Sequence, residues 1–251
     1  EVIRGVLEEG YHKVDQLTLP RPAKIDVERL PEIRERFRDM YLLGGLPGFT
    51  FNILRKMRRM ENFLADTLLA RDEVLKLSSR VEALLGECII YYGEAGFDGI
   101  MFAEDWGTQE ALLISPASWR ELFGPTFRRL CKLAHDHGMK VFMHSCGYIA
   151  EIIPDLIEVG VNVLQLDQPN LFGLEYLSQY SGQLTFWSPV DIQKVMPTGN
   201  RELIEKTADD MIRYLGQGGG FIAKDYPQWD VLGVKPEWVQ WAKDRFLRHH
   251  Y

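Results

Sequence analysis

The sequence predicts an α/β fold, and it favours a (β/α)8 TIM barrel over an open, doubly wound sheet. From Asp39 onward, a short apolar strand, a loop containing Gly, Pro or Asp, and an amphipathic helix recur in that order. Strands that alternate with helices indicate a parallel sheet with right-handed crossovers. Short strands followed by polar loops favour the closed barrel. Six such units are visible in the sequence, whereas a barrel needs eight. Either two units are missing at the N-terminus, or the sheet is open.

The individual elements are predicted from the spacing of the apolar residues. Strands are predicted at residues 40–44, 99–103, 140–144, 162–166, 184–187 and 220–223. Helices are predicted at residues 119–137 and 202–215, after Gly147, and from Pro236 to the C-terminus. Residues 1–38 are predicted to form a connecting segment, and residues 39–251 a single domain. Because the chain opens on Glu1 rather than Met, we expect it to be a piece of a longer protein.

The composition is that of an ordinary globular protein and argues against several classes of function. The 251 residues are 46% hydrophobic and 26% charged. A net charge of -7 without a long basic block argues against nucleic-acid binding. Three cysteines are too few for a disulfide framework, and no signal peptide or membrane-spanning apolar run is visible, so we expect a cytoplasmic location. The short basic run from Arg55 to Arg59 is expected to be a solvated helix face rather than an anion site.

Two adjacent carboxylates, Glu104 and Asp105, follow the second predicted strand. Catalytic groups of a barrel lie at the C-terminal ends of its strands. Neighbouring carboxylates in a concave site raise one another's proton affinity and suit metal binding or acid–base catalysis. A helix cap is the alternative interpretation. A polar role in a pocket and a structural role are left open at this point.

A His-x-Cys pair, His144 and Cys146, stands where the third predicted strand gives way to a helix. Imidazole and thiolate both suit zinc, and this spacing can direct two ligands into one cavity. The alternative is a hydrogen-bonded histidine next to a buried cysteine. The pair alone is therefore a weak motif for a metal site.

Further polar and aromatic side chains arrive at the ends of the later strands. Each of them could be ordinary turn chemistry. Their recurrence at the same point of successive units predicts that this end of the barrel binds something polar. The residues concerned are Gln165, Asp167, Gln168, Asn170, Trp187, Ser188, Asp191, Lys224, Asp225 and Tyr226.

Several segments, in this order, resemble the uroporphyrinogen decarboxylase (URO-D) superfamily, and most closely its cobalamin-dependent methyltransferase branch. The segments are LLGGLPGFTF, GIMFAEDWGTQ, VFMHSCGYIAEIIPDLIEVGVNVLQLDQP, LTFWSPVDIQKVMPTGN and GGGFIAKDYPQWDVLGV. The resemblance covers roughly residues 39–246, and its most specific parts are the acidic-Trp-Gly run and His-x-Cys-Gly. It implies a (β/α)8 barrel of which the last six units are present here.

The resemblance also implies a metal centre. In the methyltransferase branch a His-x-Cys pair and a second cysteine hold zinc, and His144 and Cys146 match the pair. The second cysteine has no match, because Cys146 is the last cysteine in the sequence. An oxygen ligand would then complete the site, either a phenolate or one of four carboxylates. The candidate carboxylates are Glu104, Asp105, Asp167 and Asp225.

From this resemblance we expect a zinc-dependent methyltransferase that moves a methyl group between a small substrate and a corrinoid (cobalamin) carried by a partner protein. Homo-oligomers are also expected, and nucleic-acid or membrane partners are not. The alternatives are a uroporphyrinogen decarboxylase-type enzyme and a barrel that binds a ligand or metal without turnover. The expected roles are catalysis for Glu104, Asp105 and Tyr226, metal binding for His144 and Cys146, and substrate binding for Trp106, Gln165, Asp167, Trp187 and Lys224.

Overall fold

Six short strands that alternate with helices are present in the described part of the chain. The structure is a computed structural model that describes residues 5–22 and 24–249. The strands are β1 (Leu43–Gly45), β2 (Gly99–Ala103), β3 (Lys140–His144), β4 (Val163–Gln165), β5 (Thr185–Ser188) and β6 (Phe221–Ala223). Their order in the sheet follows the chain from β1 to β6, and the described strand pairs are parallel. The predicted parallel α/β architecture is therefore confirmed.

The strand bounds agree with the sequence-based prediction to within three residues at each end. The bounds of β2 and β3 are as predicted, and β1 shows the largest shift, because it begins at Leu43 rather than at Met40. Ends of elements are the positions that local sequence determines least well.

Ten α-helices lie within the described ranges. They are α1 (Lys24–Arg36), α2 (Thr50–Arg58), α3 (Met60–Leu69), α4 (Arg71–Glu94), α5 (Pro116–Leu122), α6 (Gly124–Asp136), α7 (Ile153–Val159), α8 (Leu174–Ser178), α9 (Arg201–Leu215) and α10 (Pro236–Arg248). The single helix predicted at residues 119–137 is wrong: α5 ends at Leu122 and α6 begins at Gly124, with Pro125, which has no backbone N–H, in its first turn. None of the helices in the described ranges combines the length and the apolar character needed to cross a lipid bilayer.

The described residues form two compact units. The first comprises residues 5–22, 24–106, 112–144 and 151–161, and the second comprises residues 107–111, 145–150 and 162–249. The predicted boundary between residues 38 and 39, and the single domain that follows it, stay predictions.

The first unit contains β1, β2 and β3 and an aromatic core. Phe49 stacks on Phe102 with ring centroids 3.6 Å apart, and both rings are buried. Burial of each such side chain stabilises the fold by roughly 1.5–3 kcal/mol. In the ladder between β2 and β3, Ala103 lies opposite His144. This register brings the residues that follow β2 next to the end of β3.

The second unit contains β4, β5 and β6. Gln165 lies opposite Trp187, and Ser188 lies opposite Ala223. Because these strands are parallel and in this register, the residues that follow each of them leave the sheet at the same edge. The amphipathic helix α9 buries Met211 in this unit.

Candidate metal centre

The ends of β2 and β3 bring a carboxylate to an imidazole in the first unit. The backbone N–H of Glu104 donates to the carbonyl of His144 at 2.8 Å, which continues the ladder one residue beyond the strands. Asp105 Oδ1 then lies 3.5 Å from His144 Nε2. The Asp105 and His144 side chains are 31% and 17% exposed, so they are shielded but accessible to a small solute.

Cys146 joins this pair because it follows His144 by only two residues. Asp105, His144 and Cys146 each offer one ligand atom, and these three atoms lie within 4.8 Å of one another. Carboxylate oxygen, imidazole nitrogen and thiolate sulfur are all ligands of zinc in proteins. Three protein ligands leave a fourth position for water or substrate, as in catalytic zinc sites. The donor set therefore fits zinc, and of the candidate oxygen ligands the geometry favours Asp105.

Arg55, on α2, is a neighbour of this cluster that sequence reasoning missed. Its Nη2 lies 3.2 Å from Asp105 Oδ2, and its Nε donates to Asn52 Oδ1 at 2.8 Å. The solvated helix face expected for the basic run is wrong at this position, since the Arg55 side chain is only 18% exposed. One oxygen of Asp105 is thus held by Arg55, while the other faces His144. The sequence signal that could have indicated this contact is that α2 follows shortly after the end of β1, so that it begins at the same edge of the sheet as the residues after β2.

Glu104, one residue earlier, points away from the cluster into the protein. Its side chain is fully buried, and its Oε2 accepts the backbone N–H of Asn52 at 3.0 Å. Its Oε1 has no hydrogen-bond partner among the described residues. Burial raises the pKa of Glu104 well above its ordinary value, against the lowering effect of the backbone donors. This placement stabilises the first turn of α2, and the predicted catalytic role of Glu104 stays a prediction.

Trp106 is also turned into the first unit. Its ring is fully buried and packs against Phe51, with centroids 4.1 Å apart, and against Phe123 at 5.1 Å. The ring therefore contributes to the aromatic core. Its predicted role in substrate binding stays a prediction.

In the second unit the structure brings together four of the predicted residues. Lys224 Nζ lies 2.9 Å from Asp167 Oδ1, which also accepts a hydrogen bond from Gln165 Nε2 at 2.7 Å. The Lys224 ammonium lies 5.3 Å from the centre of the Tyr226 ring. Burial raises the pKa of Tyr226, and the nearby Asp167 and Cys146 raise it further. The Tyr226 hydroxyl is therefore protonated at neutral pH and can donate a hydrogen bond.

Two other predicted residues, Trp187 and Asp225, lie in β5 and just after β6, respectively. Asp225 pairs with Lys243 on α10 at 2.9 Å and accepts a hydrogen bond from Trp229 Nε1. These contacts explain why its pKa is held below the ordinary value despite partial burial. Trp187 is half-buried in β5, opposite Gln165. The structure leaves its predicted role as a prediction.

A small cavity of about 110 Å³ lies beside Cys146 in the second unit. Its polar lining includes Asp167 and two glutamines, Gln109 and Gln168, whose side-chain amides face each other at 3.3 Å. Its apolar lining includes Phe172. Gln168 is one of the polar residues predicted at the strand ends, whereas sequence reasoning missed Gln109, because it lies in a loop without a recognisable motif.

The chain is similar to known proteins in sequence and in fold. The sequence model of the uroporphyrinogen decarboxylase family matches residues 10–224. A search of curated proteins finds no match. Among solved structures, a methyltransferase from Methanosarcina mazei is similar with a TM-score of 0.67 and 17% identity, over 88% of this chain and 64% of that chain.

A second solved structure, D-psicose 3-epimerase in the presence of D-fructose, is similar with a TM-score of 0.53 and 12% identity. The match covers 95% of this chain and 85% of the epimerase. At these identities the likenesses show a shared barrel-type α/β fold. The chain spans 64% of the length of the methyltransferase.

Proposed function

The chain belongs to the uroporphyrinogen decarboxylase family, and from that premise we propose that it is a zinc-dependent methyltransferase. In this proposal it moves a methyl group between a small substrate and a corrinoid carried by a partner protein. The observation that carries the proposal is the cluster of Asp105, His144 and Cys146. The similarity of the chain's fold to that of a methyltransferase supports methyl transfer as the reaction class.

The three clustered side chains would hold zinc and leave one position open. When bound there, zinc supplies a Lewis acid that polarises or deprotonates a heteroatom of the substrate. Arg55 holds Oδ2 of Asp105 and so directs Oδ1 toward the cluster. Hydrogen bonds of this kind orient metal ligands, and losing them commonly lowers metal affinity by about 10–100-fold.

The remaining residues of the proposed site bind and orient the substrate. The cavity beside Cys146 provides a place for a small molecule within reach of that ligand. Tyr226 presents a protonated hydroxyl, and the Lys224–Asp167 pair fixes charged groups in a partly buried setting. The methyl transfer itself depends on the corrinoid, while the protein supplies position and electrostatics.

Metal binding tests this proposal directly. The purified protein should bind zinc in a one-to-one ratio by elemental analysis. His144→Ala and Cys146→Ser should each weaken zinc binding by more than the roughly 100-fold that loss of an outer hydrogen bond causes. Cys88→Ser is the matched control, because it removes a thiol outside the cluster. Absence of zinc, or equal binding by the variants and the control, would exclude the site.

Methyl transfer is then measured with methylcobalamin and a small thiol such as 2-mercaptoethanol, by the change in the visible spectrum of the corrinoid. The wild type should catalyse the change, and His144→Ala should not.

The family match favours a second candidate, decarboxylation of a uroporphyrinogen-like acid. Release of carbon dioxide from uroporphyrinogen that persists after chelation of zinc would support the decarboxylase and contradict the methyltransferase. Binding of zinc without either turnover would support the third possibility, a barrel that binds without catalysis.

A further inference from the structure

We infer that the cavity beside Cys146 selects a small, uncharged, hydrogen-bonding molecule, and that the Lys224–Asp167 ion pair sets this charge preference. The inference rests on the proposed function, because it names the class of substrate for the same site. It depends on three properties of the cavity: its size, its net charge and its neutral polar groups.

The size of the cavity limits the ligand. Its volume is about 110 Å³, whereas an apolar protein cavity of roughly 150 Å³ holds benzene. By proportion, the cavity accommodates roughly four or five non-hydrogen atoms. A larger molecule would need to extend out of the cavity or displace its lining.

Among the described residues, the one carboxylate that lines the cavity is paired with a lysine of the same unit. Asp167 lines the cavity, and Lys224 Nζ lies 2.9 Å from its Oδ1. The two side chains are 13% and 16% exposed, so solvent screens the pair only weakly. Because Lys224 already compensates Asp167, a cationic ligand would add an unbalanced positive charge. An anionic ligand would be repelled by the Asp167 carboxylate. A neutral ligand avoids both the unbalanced positive charge and this repulsion.

The neutral polar groups are the two glutamine amides. Gln109 Nε2 donates to Gln168 Oε1 at 3.3 Å, and Gln168 is nearly buried. Each amide carries two donor hydrogens and an oxygen with two lone pairs, so their mutual contact leaves capacity for a ligand. Phe172 and Ile192 supply apolar lining beside them. A molecule with one polar end and one methyl end matches this lining.

Three probes of nearly the same shape test the charge preference: acetamide, acetamidinium and acetate. They are titrated into the full, metal-free chain, and binding is followed by ligand-observed NMR. For the wild type we expect acetamide to bind at least about tenfold more tightly than either ion, since an unbalanced charge in such a site is costly. Benzamide, which replaces the methyl group by a phenyl ring, should bind much more weakly than acetamide.

Variants of the ion pair should change the order of the probes in opposite directions. Lys224→Met leaves Asp167 uncompensated, so acetamidinium should become the tightest ligand. Asp167→Asn leaves Lys224 uncompensated, so acetate should become the tightest. The double variant is neutral again and should restore the preference for acetamide. Lys243→Met is the control, because this lysine pairs with Asp225, outside the cavity, and it should leave the order unchanged.

The order of probe binding tests the charge preference, and zinc binding tests the proposed methyl transfer. If acetamidinium or acetate is the tightest ligand of the wild type, or if the single variants keep the wild-type order, the inference is wrong. Zinc binding is measured separately, so a protein that binds zinc but shows the wrong order refutes the charge preference alone. A protein with the expected order but without zinc retains the selective cavity and loses the proposed methyl transfer.

Discussion

Replacement of Arg58 by methionine is expected to lower the free energy of unfolding by about 3–5 kcal/mol, the usual cost of breaking a buried ion pair. The Arg58 guanidinium donates to Asp66 Oδ2 at 2.7 Å and to the carbonyl oxygens of Leu7 and Glu8 at 2.5 and 2.8 Å. The Arg58 and Asp66 side chains are 10% and 13% exposed, so water cannot replace these bonds fully. Asp66 would retain the hydrogen bond from the Tyr11 hydroxyl at 2.9 Å, which keeps the expected cost within that range.

The measurement is urea unfolding followed by tryptophan fluorescence and circular dichroism. Arg128→Met is the matched control: it breaks the Arg128–Glu158 pair, whose side chains are 57% and 67% exposed. Exposed pairs of this kind contribute about 0–1 kcal/mol. If Arg58→Met costs no more than Arg128→Met, the reasoning from burial is refuted. If both variants unfold at a much lower urea concentration, exposure is not what distinguishes the two pairs.

Three other predictions concern the thiols, the acid stability and a helix cap. Cys146 is exposed, whereas burial raises the pKa of the Cys131 thiol to about 12. A maleimide should therefore label Cys146 first in the native protein, as read by peptide mass spectrometry, and zinc should slow that labelling. The hydrogen bond from Arg245 lowers the pKa of Asp209. The stability that ionised Asp209 contributes is fully present above 3.8, its pKa in the unfolded chain. It is lost as the pH falls through the lower pKa that Asp209 has in the folded protein. Asp209→Asn should thus be less stable than the wild type at pH 5, and the difference should shrink below pH 3.8; a constant difference would contradict this origin. The Asn200 side chain caps α9. Asn200→Ala should lower the free energy of unfolding by about 1 kcal/mol. An unchanged free energy of unfolding would mean that the cap is not formed in solution.

The regular alternation of apolar runs was enough to predict the parallel sheet, because strand and helix periodicities are local properties of the sequence. It predicted β2 and β3 to the residue. It failed to separate α5 from α6, since the apolar spacing continues across the boundary, where Gly124 and Pro125 begin the second helix. Local patterns therefore give the type of an element more securely than its limits.

The basic run from Arg55 to Arg59 shows what local patterns cannot supply. A cluster of basic residues on a helix is usually solvated. Here Arg58 is buried against Asp66, and Arg55 reaches Asp105, fifty residues further along the chain. Asp66 lies only eight residues after Arg58, but in the next helix, and Asp105 is distant in sequence, so both contacts depend on how α2 is placed.

The sequence by itself determined the strand–helix repeat and the presence of His144 and Cys146 together at a strand end, since two residues of chain cannot separate their side chains far. The tertiary structure alone decided which carboxylate accompanies them. Glu104 and Asp105 are chemically alike, but side chains at successive positions of an extended chain point to opposite sides. The register between β2 and β3 turns Asp105 toward His144 and Glu104 into the interior. That register is fixed by which strand faces are buried across the unit, and the two adjacent carboxylates do not by themselves show which of them faces inward.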